Sequence, residues 1–123
     1  MSGGPDATFE QIRHTLDAAT RILVASHVRP DGDAYGCTIA MTLYLRSLGK
    51  DVLAWNEEGM TAKFAYLPES GVVEAPPEDK CDFDVFLALD TSTKERLGRT
   101  LKPVGRVGTW INIDHHVSNH RYA

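Results

Sequence analysis

The stretch Arg21-Ile22-Leu23-Val24-Ala25-Ser26 decides the fold, because it is short, almost wholly apolar and followed by the polar residue His27. A run of this kind is typical of a strand buried on both faces in a parallel sheet. The segment 28–33 contains proline and glycine and predicts a loop. Apolar residues at helical spacing follow from Ile39 to Leu48, and Gly49 marks the helix end. One strand, loop and helix unit is therefore predicted.

The rest of the chain repeats this alternation. An amphipathic helix is predicted over Thr8–Thr20, with Thr8 as its cap. Further strands are predicted at Asp51–Asn56, Phe83–Leu89 and Thr109–Ile113. Short helices are predicted at Thr61–Leu67 and Thr93–Leu97, and the remainder of 57–82 is interpreted as surface connection. Alternating strands and helices predict an α/β fold, a three-layer sandwich with a mainly parallel sheet and helices on both faces.

Composition indicates one soluble domain of 123 residues, since no segment reaches the ~20 apolar residues that a membrane span needs. The N-terminus does not resemble a secretory signal, and Cys37 and Cys81 have no metal-type spacing, so we expect a cytoplasmic protein. Cys37 is expected to fill the core of the second helix. A net charge of −4 gives no general attraction to nucleic acids, so a phosphate-bearing substrate would need bound cations.

Unusual polar residues follow three of the four predicted strands. These are His27, Asp31 and Asp33 after the first, Asp90 after the third, and Asp114, His115 and His116 after the fourth. Parallel strands end at one edge of the sheet, where ligands bind. Crowded carboxylates raise one another's pKa unless cations neutralise them. Carboxylates mixed with imidazoles favour manganese over magnesium, and two such ions suit hydrolysis of a phosphate ester.

Taken singly, these residues have ordinary explanations. Pro30-Asp31-Gly32 is common turn chemistry, and Asp90 alone would be interpreted as a helix cap. Arg29 has two open interpretations, a phosphate contact or a surface ion pair. Adjacent imidazoles at a strand end have little structural reason to be there, so the convergence on one edge favours the metal site.

Three segments carry a resemblance to a known family. They are Ser26-His27-Val28-Arg29-Pro30-Asp31-Gly32-Asp33-Ala34-Tyr35-Gly36, Ala88-Leu89-Asp90-Thr91-Ser92 and Asp114-His115-His116-Val117-Ser118-Asn119. In sequence and order they resemble the first three motifs of the DHH phosphoesterase family. The branch they resemble contains oligoribonucleases that also hydrolyse adenosine 3′,5′-bisphosphate (pAp), the nanoRNase type related to RecJ exonuclease. The resemblance is specific to the superfamily and less so to the substrate.

The resemblance implies a role for each motif residue. His27 and Asp31 would bind one manganese ion, Asp33 and His115 the other, and Asp90 would bridge both. The remaining implied roles are a substrate phosphate contact for His116, an orienting role for Asp114, and either a substrate contact or a helix cap for Asn119. The implied activity is hydrolysis of short RNA or pAp by metal-activated water, with Mg²⁺ as the alternative cofactor and a homodimer as the full-length state.

One departure from the family pattern is large. The family has a further aspartate beyond the triplet and a C-terminal domain whose glycine-rich motif and basic residues hold the substrate. We therefore expect residues 1–123 to be the N-terminal part of the catalytic domain of a longer protein. Two rivals stay open: a manganese pyrophosphatase or exopolyphosphatase, whose branch tends to carry threonine where this chain has Gly32, and a non-catalytic metal- or nucleotide-binding module. Hydrolysis of linear or cyclic dinucleotides is a further option within the same branch.

Overall fold

The computed structural model describes residues 8–27, 32–89 and 94–113, apart from the side chains of Asp33, Lys94, Glu95, Arg96 and Arg99. The regular elements are α1 (Phe9–Ala18), β1 (Arg21–Ser26), α2 (Gly32–Ser47), β2 (Asp51–Trp55), β3 (Val73–Glu74), β4 (Cys81–Leu89) and β5 (Val104–Ile113). Three 3-10 helices complete the described chain, at Ala62–Phe64, Ser70–Val72 and Lys94–Leu101.

The five strands form one sheet in the order β3-β2-β1-β4-β5, and every described pair is parallel. β1 lies at the centre because its side chains are buried on both faces from Ile22 onward. This arrangement confirms the predicted α/β fold. It also brings the ends of β1, β4 and β5 together, although β1 and β5 are far apart in sequence.

Side chains of β1 point alternately to the two faces of the sheet. Ile22 and Val24 pack in one apolar cluster with Leu45 of α2, and Leu16 of α1 adds to it. Leu23 and Ala25 pack on the opposite face, where the cluster includes Leu97 of the 3-10 helix Lys94–Leu101. Helical segments therefore cover both faces, as predicted for a three-layer sandwich.

The two long predicted helices form, as α1 and α2, with small differences in extent. At α1, the hydroxyl of Thr8 accepts from the backbone N–H of Gln11 (3.2 Å), and the Gln11 side chain accepts from the N–H of Thr8 (2.8 Å), which completes a capping box. α2 begins at Gly32, inside the segment predicted as loop, and is followed by Gly49 with a φ of 82°. Cys37 is exposed, so its prediction as core filler is wrong.

α2 is the longest described helix, at 16 residues. Among the described parts of the chain, none of the helices is long and apolar enough to span a membrane.

The segment between β2 and β4 was interpreted as surface connection, but it also contributes to the sheet and to the packing of α2. It contributes the two-residue strand β3 to the sheet edge, a strand that the sequence did not predict. In place of one helix over Thr61–Leu67, it forms the 3-10 helices Ala62–Phe64 and Ser70–Val72. Its apolar residues pack with Tyr35 and Ile39 of α2, so the segment covers the first half of that helix.

β5 is twice the predicted length because two glycines break its apolar pattern without ending the strand. A Cβ atom at Gly108 would lie 2.7 Å from the carbonyl oxygen of Asp84, and one at Gly105 would collide with the Asp82 carboxylate. The pairing of β5 with β4 is irregular here, because Cys81 pairs with Val104 and Phe83 with Val107. Two residues of β5, Gly105 and Arg106, thus lie opposite one residue of β4, Asp82, which is a β-bulge.

Candidate metal centre

Three neighbouring strands end at the same level of the sheet. Ser26 of β1 pairs with Leu89 of β4, and Leu89 pairs with Ile113 of β5. In the sequence, the next residues are His27, Asp90 and Asp114, the first predicted site residues of the three motifs. The strand register therefore supports the prediction that the motifs meet at one edge, and it does so through backbone pairing alone.

His27 is the predicted ligand whose side chain the structure describes. It follows β1 directly and is only 7% exposed. Its backbone carbonyl accepts a hydrogen bond from the side-chain amide of Asn56, over 2.9 Å. An imidazole is thus held at the C-terminal edge of the sheet, with its backbone fixed from the neighbouring strand.

The other predicted site residues lie outside the described part of the chain. This applies to Arg29, Asp31, Asp90, Asp114, His115, His116 and Asn119, and their roles stay predictions. Asp33 lies within α2, but its side chain is among those not described. Within the described residues no group of three or more His, Cys, Asp or Glu side chains could hold a metal ion. The ligand set is thus still a prediction from sequence.

Asn56 is a residue at this edge that the sequence analysis missed as a site position. It follows β2, and its side chain is fully buried. The side-chain amide donates to the carbonyl of His27 and, at 3.4 Å, to the hydroxyl of Ser26, while its oxygen accepts from the N–H of Glu58 at 3.2 Å. The signal was available, because Asn56 is a polar residue directly after an apolar strand run.

The first turns of α2 are held by the same part of the chain. The hydroxyl of buried Tyr35 donates to the carbonyl of Gly59 over 2.6 Å. The ring of Phe64 packs on Tyr35 with centroids 5.3 Å apart, and a Cβ atom at Gly32 would lie 3.7 Å from Phe64 Cε1. The start of the helix that carries Asp33 is therefore packed against a defined surface.

Asn112 adds an acceptor near this edge. It lies in β5 opposite Ala88, one residue before the strand end. Its Oδ1 atom is buried and has no hydrogen-bond partner among the described residues. Because a buried acceptor without a donor is costly, this oxygen is suited to a water molecule or to a polar ligand group at the site.

The opposite edge of the sheet has a different character. Both backbone N–H groups at the start of β1, those of Thr20 and Arg21, donate to the Asp84 carboxylate over 2.8 Å. These two bonds hold the pKa of the Asp84 carboxyl below its ordinary value of 3.8, and the bond from Arg21 has the larger effect. The Asp82 carboxylate likewise accepts from the N–H of Arg106 at 2.7 Å. Carboxylates at this edge are satisfied by the protein itself.

One predicted ligand of the metal pair, the buried imidazole of His27, lies at the C-terminal edge within the described part of the chain. The strand ends that precede Asp90 and Asp114 are level with it, and Asn112, whose Oδ1 atom has no hydrogen-bond partner among the described residues, is one residue away from one of those ends. Imidazole nitrogens and carboxylate oxygens are donors suited to manganese.

Comparisons with known proteins agree with the motifs. The sequence profile described as "DHH family, N-terminal domain" matches residues 21–123. The chain is 34% identical over 102 residues to the bifunctional oligoribonuclease and PAP phosphatase NrnA of Thermus thermophilus, an alignment that covers 83% of this chain and 30% of that relative.

A solved structure shares the fold. It is the crystal structure of an exopolyphosphatase-related protein from Bacteroides fragilis, with a TM-score of 0.69 and 24% identity over 88% of this chain and 34% of that one. At this identity the likeness concerns the fold alone. The chain spans about a third of the length of each of the two proteins, 30% of the first and 34% of the second.

Proposed function

Because this chain belongs to the DHH family, as its N-terminal domain, we propose that it carries the metal-binding part of a phosphoesterase active site. The proposed activity of the full-length protein is hydrolysis of phosphoester bonds in short RNA oligonucleotides, in pAp, or in both. The observation that carries the proposal is the register by which β1, β4 and β5 end level with one another, directly before the three motifs. Open α/β sheets bind their ligands at that edge.

We propose two Mn²⁺ ions as cofactors, with Mg²⁺ as the alternative. The proposed ligands are His27 and Asp31 for one ion, Asp33 and His115 for the other, and Asp90 for both. When bound, such a pair would supply an activated water molecule and neutralise charge on the phosphoryl group. The buried position of His27 supports its part in this set, because a ligand fixed before the ion binds loses little freedom on binding.

The chain's own residues would then bind and orient the substrate. His116 is proposed to donate a hydrogen bond to the phosphate and to stabilise charge that develops there. Asp114 is proposed to orient the neighbouring imidazoles. Arg29 is proposed as a second phosphate contact, with a surface ion pair as its alternative role. Asn119 is proposed to contact the substrate, or else to cap the following helix.

The substrate class rests on the relative from Thermus thermophilus, which is described as both an oligoribonuclease and a PAP phosphatase. Both reactions split a phosphoester of a nucleotide, so one site can serve both. The net charge of −4 means that general attraction would not hold such a substrate, and the cations and basic groups of the site must do so.

The proposal is tested by manganese-dependent release of nucleotides from a short RNA by the full-length protein. The joint variant Asp31→Ala/His115→Ala is expected to abolish release, because each ion would lose a ligand. A matched control, His14→Ala/Asp79→Ala, removes the same two groups at exposed positions and should keep the parent activity. Equal activity in the parent and in the first variant would contradict the assignment.

The first rival is a manganese pyrophosphatase or exopolyphosphatase. The glycine at position 32 supports ranking it second, because that branch tends to carry threonine there. A Cβ atom at Gly32 would lie 3.7 Å from Phe64 Cε1, which is an ordinary van der Waals contact, so the ranking rests on the sequence pattern. Competition between pyrophosphate and short RNA for the full-length enzyme separates the two functions.

The second rival is a metal- or nucleotide-binding module without activity. Calorimetric titration with Mn²⁺ followed by the RNA assay separates this rival from the enzyme. Manganese binding without turnover by the full-length protein would favour the module.

We also propose that the full-length protein is cytoplasmic and homodimeric. Neither Cys37 nor Cys81 forms a disulfide within the described part of the chain, which suits a reducing compartment. The dimer rests on the family resemblance, and light scattering of the full-length protein tests it.

A further inference from the structure

We propose that Asn56 is a positioning residue of the metal site, which fixes the backbone of the ligand His27 from the neighbouring strand. This inference rests on the proposed function, because it takes His27 as a ligand. Asn56 is fully buried, and both ends of its amide are engaged.

A side-chain donor is needed beside His27 because the backbone pairing of β1 with β2 ends just before it. Their last paired residues are Ala25 and Trp55, and the N–H of Asn56 donates to Glu74 on the β3 side, at 3.1 Å. The backbone N–H of Asn56 is therefore not available to β1, where the carbonyl of His27 would need a donor. The Asn56 side chain supplies that donor at 2.9 Å.

The chemistry of Asn56 fits this position better than that of other residues. One end of its side chain must donate to the His27 carbonyl, and the other must accept from the N–H of Glu58. An amide does both, whereas a carboxylate has no donor when ionised. The network fixes the amide in one orientation and holds the carbonyl of His27 in one place.

The turn that carries Asn56 is itself anchored on the other side of the site. The carbonyl of Gly59 accepts from the hydroxyl of Tyr35 on α2 at 2.6 Å, and the N–H of Gly59 donates to the carbonyl of Asn56 at 2.9 Å. The residues 56–59 therefore contact both the residue before the segment 28–31 and the helix after it. Asn56 and Tyr35 together fix the distance between the two halves of the first motif.

Manganese affinity of the full-length protein tests the inference. Asn56→Leu keeps the size of the side chain and removes its donor, and Asn56→Ala removes the donor and most of the volume. Outer-shell partners of metal ligands contribute about 10- to 100-fold in affinity, so we expect the dissociation constant for Mn²⁺ to rise about tenfold or more in both variants.

The matched control is Thr42→Val, which also replaces a buried hydrogen-bonding side chain by an apolar one of equal size. The Thr42 hydroxyl donates to the carbonyl of Thr38 at 2.7 Å within α2, nine positions beyond Asp33. We expect this variant to lose melting temperature but to bind Mn²⁺ as the parent does. Calorimetric titration gives the affinity, and circular dichroism gives the melting temperature and the folded fraction.

The outcomes separate this inference from the proposed function. A parent that does not bind Mn²⁺ would overturn both. A parent that binds, with unchanged affinity in folded Asn56→Leu or Asn56→Ala, would overturn only the role of Asn56. Equal weakening by Thr42→Val, or loss of folding in both Asn56 variants, would assign Asn56 to stability alone and overturn the inference as well.

Discussion

At the N-terminal edge of the sheet, carboxylates of Asp82 and Asp84 accept hydrogen bonds from backbone N–H groups, whereas at the C-terminal edge Asn56 donates to a backbone carbonyl. The difference follows from strand direction, because parallel strands all begin with unpaired N–H groups and all end with unpaired C=O groups. A carboxylate at the first edge meets donors that the protein already has. We expect a carboxylate at the second edge to need a partner other than the strands, either a helix N-terminus or a cation.

An aspartate therefore has different partners at each edge. The Asp84 carboxylate accepts hydrogen bonds from two backbone N–H groups and needs no ligand. Asp90 and Asp114 follow the C-terminal ends of β4 and β5, where the backbone offers carbonyl groups. The family motifs fall at this second edge, where acidic side chains suit a metal site.

The test with the largest expected effect replaces one aspartate at each edge by asparagine. Asp90→Asn in the full-length protein is expected to lower manganese-dependent RNA hydrolysis by about 100-fold or more, because the ligand proposed for both ions is replaced. Without metal its melting temperature should not fall, since one repulsive charge is removed. Asp84→Asn is the matched variant and should keep the activity while lowering the melting temperature. Equal behaviour of the two variants in both measurements would remove the distinction between the edges.

A second test concerns the close packing of strands near the N-terminal edge. Gly108→Ala would bring a Cβ atom to 2.7 Å from the carbonyl oxygen of Asp84, so β5 must shift away from β4. Overpacking of this kind costs about 1–3 kcal/mol in the free energy of unfolding. Gly36→Ala is the control, because no atom of the described residues lies within 4 Å of its Cβ position on α2, and it should stabilise by up to about 1 kcal/mol. Urea unfolding measures both, and equal stabilities would contradict the packing argument.

The smallest expected effect is the pH dependence that Asp84 contributes. Its pKa in the folded protein lies below its ordinary value because the N–H groups of Arg21 and Thr20 donate to the ionised form. The stabilisation is therefore fully present above the pKa of the unfolded state and is lost as the pH falls through the folded value. The gap in melting temperature between the parent and Asp84→Asn should be constant above about pH 5 and narrow below about pH 4.

The control for this titration is Asp79→Asn, which makes the same charge change at an exposed position. Its melting temperature should follow that of the parent through the acid range. A gap for Asp84→Asn that is unchanged down to pH values well below 4 would show that the backbone bonds do not favour the ionised carboxylate.

Sequence predicted the elements whose signal is local. The apolar runs at β1 and β4 and the spacing of apolar residues in α1 were sufficient to predict these elements, because the pattern of apolar residues indicates which faces pack against the core. β3 was missed, since two residues, Val73 and Glu74, are too short for a pattern. β5 was predicted at half its length because its glycines interrupt the apolar pattern. They are needed where β5 lies close to atoms of β4, and a local sequence pattern does not reveal this neighbour.

The site divides in the same way. The three motifs could be located from sequence because each one follows an apolar run, and the family resemblance implied the roles of their residues. Their convergence now has support from the register of Ser26, Leu89 and Ile113. The sequence marks Asn56 as a polar residue after an apolar run, but its role could not be predicted, since that role depends on the pairing of Ala25 with Trp55 and on where the N–H of Asn56 is directed. Such information belongs to tertiary structure.

The β-bulge between β4 and β5 has a consequence for how this domain tolerates insertions and deletions. It absorbs one extra residue near Gly105, and from Val85 to Leu89 the pairing with Thr109–Ile113 is regular again. An insertion after the bulge would move the next motif by about 3.3 Å and turn every following side chain to the opposite face. Relatives should therefore vary in length before the bulge or within 57–80, and keep a constant length in the last five residues of each strand.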